Sequence, residues 1–373
     1  MAPGRPLTVP RSAPAPGPGP APGPSSAPAH VRGTSPSAHD LRDIPRRPDR
    51  LLRSRRARAG LGVGIVLGLL ALGACSGTEP GPGPVRTAPA PSTAPTVPPA
   101  PTPVDLSPGV AAALADLEAE TGYRVGVHAV DTVTGDVVNH RADERFGYAS
   151  TIKALALGVA LRGADPSVLD RTLPVTAEDV AGAGYTPVTA DRVGSSMTLA
   201  DLGAAAVSLS DNGALNVVLR DLGGPAALRA VLVDLGDTTT QVDAVEPDLN
   251  RFTPGEPART STPRALADGL AVFALGDELD PAVREVYVGW LTGSTTGDAT
   301  IRAGAPEGWL VGGKTGTAGR YGSRNDVAVA WPPGEGAPVV VAVLTDHPDP
   351  AAAPDDTVVA RAAAIVLGAY AGR

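Results

Sequence analysis

Two lysines mark where this sequence could do chemistry. The chain carries 31 Lys and Arg residues, yet only Lys153 and Lys314 are lysines; the other 29 are arginines. A guanidinium stays charged at any useful pH and cannot accept a proton, whereas a buried or crowded ammonium can lose one. A chain that uses arginine almost everywhere and keeps lysine twice points to proton chemistry at those two places. Lys153 follows Ser150 by three residues in Phe146-Gly147-Tyr148-Ala149-Ser150-Thr151-Ile152-Lys153. On a helix that spacing is nearly one turn, so both side chains share a face. With Ser150 in the first helical turn, its hydroxyl sits near the positive end of the helix dipole, within reach of the ammonium, an arrangement that favours a nucleophilic serine. A Ser-x-x-Lys alone is common, and its weight depends on what the rest of the chain brings to it.

The elements that must position these groups lie between residue 105 and the C-terminus, a length that can bury a large core. Ser107-Pro108 opens a helical run to Thr121, with proline at the first helical position. Strands are expected over Tyr123–Val130 and Asp136–His140, joined around Thr134-Gly135. The serine helix should run from Ser150 to about Arg162, followed by a polar, Gly- and Pro-containing stretch to Ser196. A mostly helical pattern spans Met197–Leu235, interrupted at Ser208–Asn212 and broken at Gly223-Gly224. Residues 238–261 have three prolines and no period, which predicts a long loop. Helices at Thr262–Phe273 and Pro281–Leu291, strands at Leu310–Thr317, Val327–Trp331 and Val339–Leu344, and a last helix at Asp356–Tyr370 complete the pattern. Strands at both ends with helices between predict an α/β fold: an antiparallel sheet built from N- and C-terminal segments and packed with helices, with an all-helical domain inserted.

What precedes this domain reads differently. Residues 1–50 are rich in Pro, Ala, Gly and Ser without apolar periodicity, the composition of a disordered extension. Residues 51–75 follow as an export signal: Arg53, Arg55, Arg56 and Arg58 precede the apolar run Leu61–Leu72, which ends in Leu72-Gly73-Ala74-Cys75. Cys75 is the sole cysteine, so it has no disulfide partner. Residues 76–104 are a Pro/Thr-rich linker of extended character. Beyond Cys75 the chain holds 20 basic and 36 acidic residues, a balance that argues against nucleic-acid binding. The five histidines show no metal-ligand spacing, and neither a metal nor a cofactor is called for.

Downstream of Ser150 come Ser210-Asp211-Asn212, Glu246-Pro247-Asp248-Leu249-Asn250 and Lys314-Thr315-Gly316-Thr317. Singly, each has a bland reading: a helix cap, a loop acid, a strand end. In this order they resemble the class A serine β-lactamases. Asn216, Leu222-Gly223-Gly224-Pro225, Thr295-Thr296-Gly297-Asp298, Ile301-Arg302 and Asn325-Asp326 extend the likeness over nearly all of residues 105–373. The resemblance implies that Ser150 attacks the lactam carbonyl, with the backbone N–H groups of Ser150 and Thr317 as oxyanion hole. Lys153 or Glu246 is the acylation base, Glu246 activates the deacylating water, and Asn250 helps to hold that water. Ser210 passes a proton to the leaving nitrogen. Lys314 and Thr315, with Gly316 and Thr317 beside them, receive the substrate carboxylate; Arg324 is a second candidate for it. Asn212 is a further substrate-binding candidate. The ending at Cys75 resembles the lipobox of bacterial lipoproteins, which implies export and a lipid anchor outside the cytoplasmic membrane; the protein is separately expected to be a monomer.

Other readings stay open. D,D-peptidases and penicillin-binding proteins share the Ser, Lys and Lys-Thr-Gly elements but generally lack the deacylating Glu, and an inactive lactamase-like surface lipoprotein would belong to another class altogether. One departure stands out. The Glu-bearing loop of class A enzymes is usually pinned by an Arg two residues before the Glu and an Asp thirteen after it, and here those positions are Ala244 and Arg259. Asp243 is expected to pair with Arg259 instead, restoring the tie with its charges reversed.

Overall fold

The computed structural model describes residues 102–334 and 336–372. The extension at 1–50, the signal at 51–75 with Cys75, and all but the end of the linker lie outside the described residues. Numbered in chain order, the elements are α1 (Ser107–Thr121), β1 (Arg124–Asp131), β2 (Val137–His140), β3 (Phe146–Gly147), α2 (Ile152–Leu161), β4 (Thr172–Pro174), α3 (Ala177–Val180), β5 (Ser196–Thr198), α4 (Leu199–Ser208), α5 (Asn212–Leu222), α6 (Pro225–Asp234), β6 (Thr260–Ser261), α7 (Pro263–Ala274), α8 (Pro281–Thr292), α9 (Ile301–Gly304), β7 (Leu310–Thr317), β8 (Arg324–Trp331), β9 (Val339–Asp346) and α10 (Asp356–Gly368). The chain enters the fold beside β2, where the Leu106 N–H donates to the Val137 carbonyl and the Val104 N–H to Asp136 Oδ1.

Five strands form an antiparallel sheet in the order β2-β1-β9-β8-β7, so the N-terminal hairpin completes a sheet begun by the last three strands. Strand β9, Val-Val-Val-Ala-Val-Leu-Thr-Asp, is buried along its whole length. Alternate side chains point to opposite faces, so its apolar run feeds two cores. Val340, Ala342 and Leu344 pack with α2, α4, α5, α7 and α8, whereas Val339, Val341 and Val343 pack with α1 and α10. The helical body thus grows on one face of the sheet from the segment between β3 and β7, and the two terminal helices cover the other.

Elements with a long period fall within a few residues of their expected bounds; the rest differ for local reasons. Helix α1 begins at Ser107 itself, and the carboxylate that accepts the Ser107 N–H, at 2.9 Å, is Asp105. The inserted segment is helical apart from two short ribbons, β4 with β5 and β3 with β6. Strands of two or three residues carry too few side chains to show a period, so neither ribbon is visible in the sequence pattern. Residues 238–261 are a loop, as expected, with one 3-10 turn at Asp248–Asn250 and the strand β6 at its end.

Candidate active site

Ser150 lies at the joint between the sheet and the helical body. The α-helical part of its helix begins at Ile152, two residues later than expected, and Ser150 sits in a 3-10 turn over Ala149–Thr151 that leads into α2. The i to i+3 relation survives, because a 3-10 turn also stacks residues three apart. Ala149 has φ 48°, left-handed backbone that a non-glycine residue adopts only when its surroundings impose it. The surroundings here are β7 and β8. Asn325 on β8 donates to the Gly147 carbonyl at 2.7 Å. Gly316 on β7 passes so close that a Cβ there would lie 2.8 Å from the Tyr148 carbonyl oxygen and 3.1 Å from the Ser150 nitrogen. Only glycine lets the strand edge come this near, which brings the end of β7 at Thr317 alongside the serine.

Lys153 is completely buried, and its ammonium is surrounded by acceptors: Glu246 Oε1 at 3.1 Å, Asn212 Oδ1 at 2.5 Å, the Ser210 carbonyl at 2.8 Å and Ser210 Oγ at 3.3 Å. The direct bond from Lys153 to Ser150 Oγ that the spacing suggested is not made among the described residues. Instead Ser150 Oγ donates to Glu246 Oε1 at 3.4 Å, so serine and lysine meet on one carboxylate oxygen. Burial pushes the Lys153 ammonium below its ordinary pKa, against the opposing pull of Glu246. Lys314 on β7, also fully buried, donates to Ser210 Oγ at 3.0 Å. Its pKa is driven well down, first by burial and then by the neighbouring Lys153 charge. Ser210 Oγ therefore lies between two ammonium groups, on a residue held at φ 61°.

The Ser210-Asp211 pair divides its work. Asp211 caps α5 through the Ala214 N–H and also accepts the Val188 and Thr189 N–H groups, so the bland helix-cap reading holds for Asp211 and fails for Ser210. Asn212 accepts from Lys153 and donates to the Ala183 carbonyl at 2.7 Å. Glu246 is buried and held from two sides. Asn250 Nδ2 donates to its Oε2 at 2.5 Å, while its own peptide is clamped by Asn216, which accepts the Glu246 N–H at 2.9 Å and donates to the Glu246 carbonyl at 3.2 Å. Asn250 Oδ1 is buried with no hydrogen-bond partner among the described residues, which is costly unless something donates to it. Further along the loop, Arg259 Nε approaches Asp243 Oδ1 at 3.3 Å and its Nη1 donates to the Arg251 carbonyl at 2.7 Å, so the expected reversed ion pair is present.

At the same end of β7, Thr315 Oγ1 donates to Thr296 Oγ1 at 2.7 Å. Arg324 pairs with Asp356, and its Nη1 and Nη2 donate to Thr317 Oγ1 at 3.0 Å and the Thr296 carbonyl at 3.1 Å. Ser150, Lys153, Ser210, Asn212, Glu246, Asn250, Lys314, Thr315, Gly316, Thr317 and Arg324 thus converge on one place. Cys75 lies outside the described residues. Asn216 and Thr296 belong to the same network, although the motif reading named neither as a site residue. For Asn216 the available signal was its place four residues after Asn212 on one helix face; for Thr296 the sequence held none beyond its likeness to the family.

A serine that shares a carboxylate with a buried lysine, beside a strand edge carrying a second ammonium, can attack a carbonyl next to an anionic group. A site of this make on this fold defines the class of serine hydrolases that open amides or esters. The chain belongs to class A of the β-lactamases: the family model for the β-lactamase enzyme family matches residues 109–370. It is 45% identical over 255 residues to Beta-lactamase 3 of Bacillus cereus, covering 68% of this chain and 79% of that protein. To the carbapenem-hydrolyzing beta-lactamase KPC of Klebsiella oxytoca it is 42% identical over 259 residues, 69% of this chain and 88% of that one. Among solved structures, a class A beta-lactamase from Clostridium kluyveri superposes with a TM-score of 0.67 at 40% identity, over 69% of this chain and 97% of that chain.

Proposed function

We propose that the protein hydrolyses the β-lactam amide in two steps through an ester on Ser150. In the first, Ser150 Oγ gives up its proton to the Lys153–Glu246 pair and bonds to the lactam carbonyl carbon. The oxyanion is held by the N–H groups of Ser150 and Thr317, the C–N bond breaks, and Ser210, between its two ammonium groups, passes a proton to the leaving nitrogen. The substrate's ring carboxylate rests against Lys314, Thr315 and Arg324. In the second step Glu246, aided by the acceptor oxygen of Asn250, takes a proton from a water that attacks the ester; the product acid leaves and Ser150 regains its proton. The observation that carries this reading is the placement of Glu246. A carboxylate 3.4 Å from the serine hydroxyl, held by Asn250 on a residue whose peptide groups Asn216 clamps, is what release of the acyl group requires, and what a D,D-peptidase would not need.

The test separates the steps. Glu246→Gln should be acylated on Ser150 by benzylpenicillin and release the adduct slowly enough for intact-mass spectrometry to trap it, while Ser150→Ala forms no adduct. Parent-like turnover by Glu246→Gln, or an adduct on another serine, would sink the assignment. We also read the protein as exported and anchored through lipid on Cys75, on the strength of the basic segment and the Leu72-Gly73-Ala74-Cys75 ending.

A further inference from the structure

We propose that Asp326, buried on β8 behind the strand that carries Lys314, is a positioning residue whose carboxylate keeps the Lys314 ammonium charged to receive the substrate's carboxylate. This role rests on the β-lactam hydrolysis proposed above and adds to it a residue that touches no substrate. In the pairing of β7 with β8, Asp326 lies directly opposite Thr315, one residue beyond Lys314. Opposite residues of an antiparallel pair share a face and successive residues alternate, so the carboxyl and the ammonium leave the sheet on opposite faces. The residue before Lys314 is a glycine, and it puts no side chain in the way. A Cβ on Gly313 would come within 3.0 Å of Asp326 Oδ1, so this oxygen lies against bare backbone next to Lys314.

The two oxygens of this buried carboxyl differ. Oδ2 accepts the Thr300 hydroxyl at 2.6 Å and the Ile301 N–H at 3.2 Å, whereas Oδ1 has no hydrogen-bond partner among the described residues. An ionised oxygen without a donor is costly to bury unless cations balance it. Burial raises the Asp326 pKa, and Thr300, Ile301, Arg324 and Lys314 draw it back. At Lys314 the balance is reversed: burial, Lys153 and Arg324 press the ammonium towards its neutral form, and Asp326 and Glu246 oppose them. The other anions here have work elsewhere. Glu246 is shared among Lys153, Ser150 and Asn250, Asp211 accepts from backbone N–H groups, and Asp356 pairs with Arg324. Asp326 is the acid with an oxygen still uncommitted. Its other oxygen braces the turn in which the Thr300 N–H donates to the Gly297 carbonyl at 3.2 Å, next to Thr296.

Asp326→Asn tests this, because it keeps an oxygen for Thr300 and Ile301 and removes the charge. The chain has two lysines, so the full protein labelled with carbon-13 at lysine Cε gives two NMR signals, and the one absent from Lys314→Arg is Lys314. In Asp326→Asn its titration should move to lower pH by about one unit, the scale of one charge lost across a strand. The alkaline rise in KM for benzylpenicillin should begin correspondingly earlier and reach about tenfold over the parent, with kcat less affected. In a Lys314→Arg background, where the cation cannot be discharged, Asp326→Asn should leave KM flat with pH. A merely loosened turn would instead raise KM at every pH and in both backgrounds, and would overturn the proposal. If Asp326→Asn does not fold, Thr300→Val, which takes the hydroxyl from Oδ2, should move the Lys314 signal the same way by less. A Lys314 titration unmoved in the folded variant would also overturn the assignment. That readout needs no substrate, so it stands apart from a parent that fails to turn over benzylpenicillin, which would overturn the hydrolytic reading.

Discussion

Removing the Arg259 side chain tests what holds the loop that carries Glu246. Arg259 makes two contacts through its guanidinium, to Asp243 Oδ1 at 3.3 Å and to the Arg251 carbonyl at 2.7 Å. The side chains of Arg259 and Asp243 are 30% and 46% exposed, so water screens their attraction and the pair contributes about 0.2–1 kcal/mol. The charged hydrogen bond to the Arg251 carbonyl adds about 1 kcal/mol after the same discount. Arg259→Ala therefore removes about 1–2 kcal/mol of restraint. It relieves no strain, because the backbone there has φ 58°, which alanine tolerates no better. If the whole loss falls on the step that needs Glu246 and Asn250 in register, deacylation slows about five- to thirtyfold, while acylation changes less. Stopped-flow burst kinetics with a chromogenic cephalosporin separates the two rates, and thermal unfolding should show a Tm lower by a few degrees. Asp243→Arg with Arg259→Asp should restore part of the rate only, since an aspartate at 259 cannot donate to the Arg251 carbonyl. An Arg259→Ala enzyme that deacylates at the parent rate with an unchanged Tm would refute the reasoning; buried Leu249 beneath the loop would then be the next residue to examine.

Two further outcomes are expected. Because burial and Lys153 hold the Lys314 ammonium well below the ordinary lysine pKa, raising the pH should discharge it early: KM for a penicillin should rise below the usual lysine range with kcat less affected, and Lys314→Arg should abolish that limb. A KM flat up to the ordinary lysine range would contradict this. Cys75→Ala should move activity from the membrane to the soluble fraction or block maturation, and an unmodified, soluble parent protein would count against the lipid anchor.

The sequence by itself determined those parts of the site whose geometry is local. Ser150 and Lys153 share a face because three residues make nearly a turn, and Lys314-Thr315-Gly316-Thr317 reads as one strand because it closes a β-rich run. The long helices and the central strands were legible for the same reason: a period repeated over eight or more residues averages out local exceptions. The two-residue pairing of β3 with β6 offers no such average. Contacts between elements were a different matter. No spacing shows that Lys153 bonds to Glu246, Asn212 and Ser210 in preference to the serine one turn away, or that Asp211 caps a helix while Ser210 faces two ammonium groups. The Asp243–Arg259 pair could be named from charge and position, but its 3.3 Å approach depends on how the loop lies over the helical body. Asp326 was visible in the chain only as part of a likeness, and nothing there sets it against Gly313 and Lys314. The three stand together because β7 and β8 pair in one register, and that register is held by packing of the whole core, not by any segment.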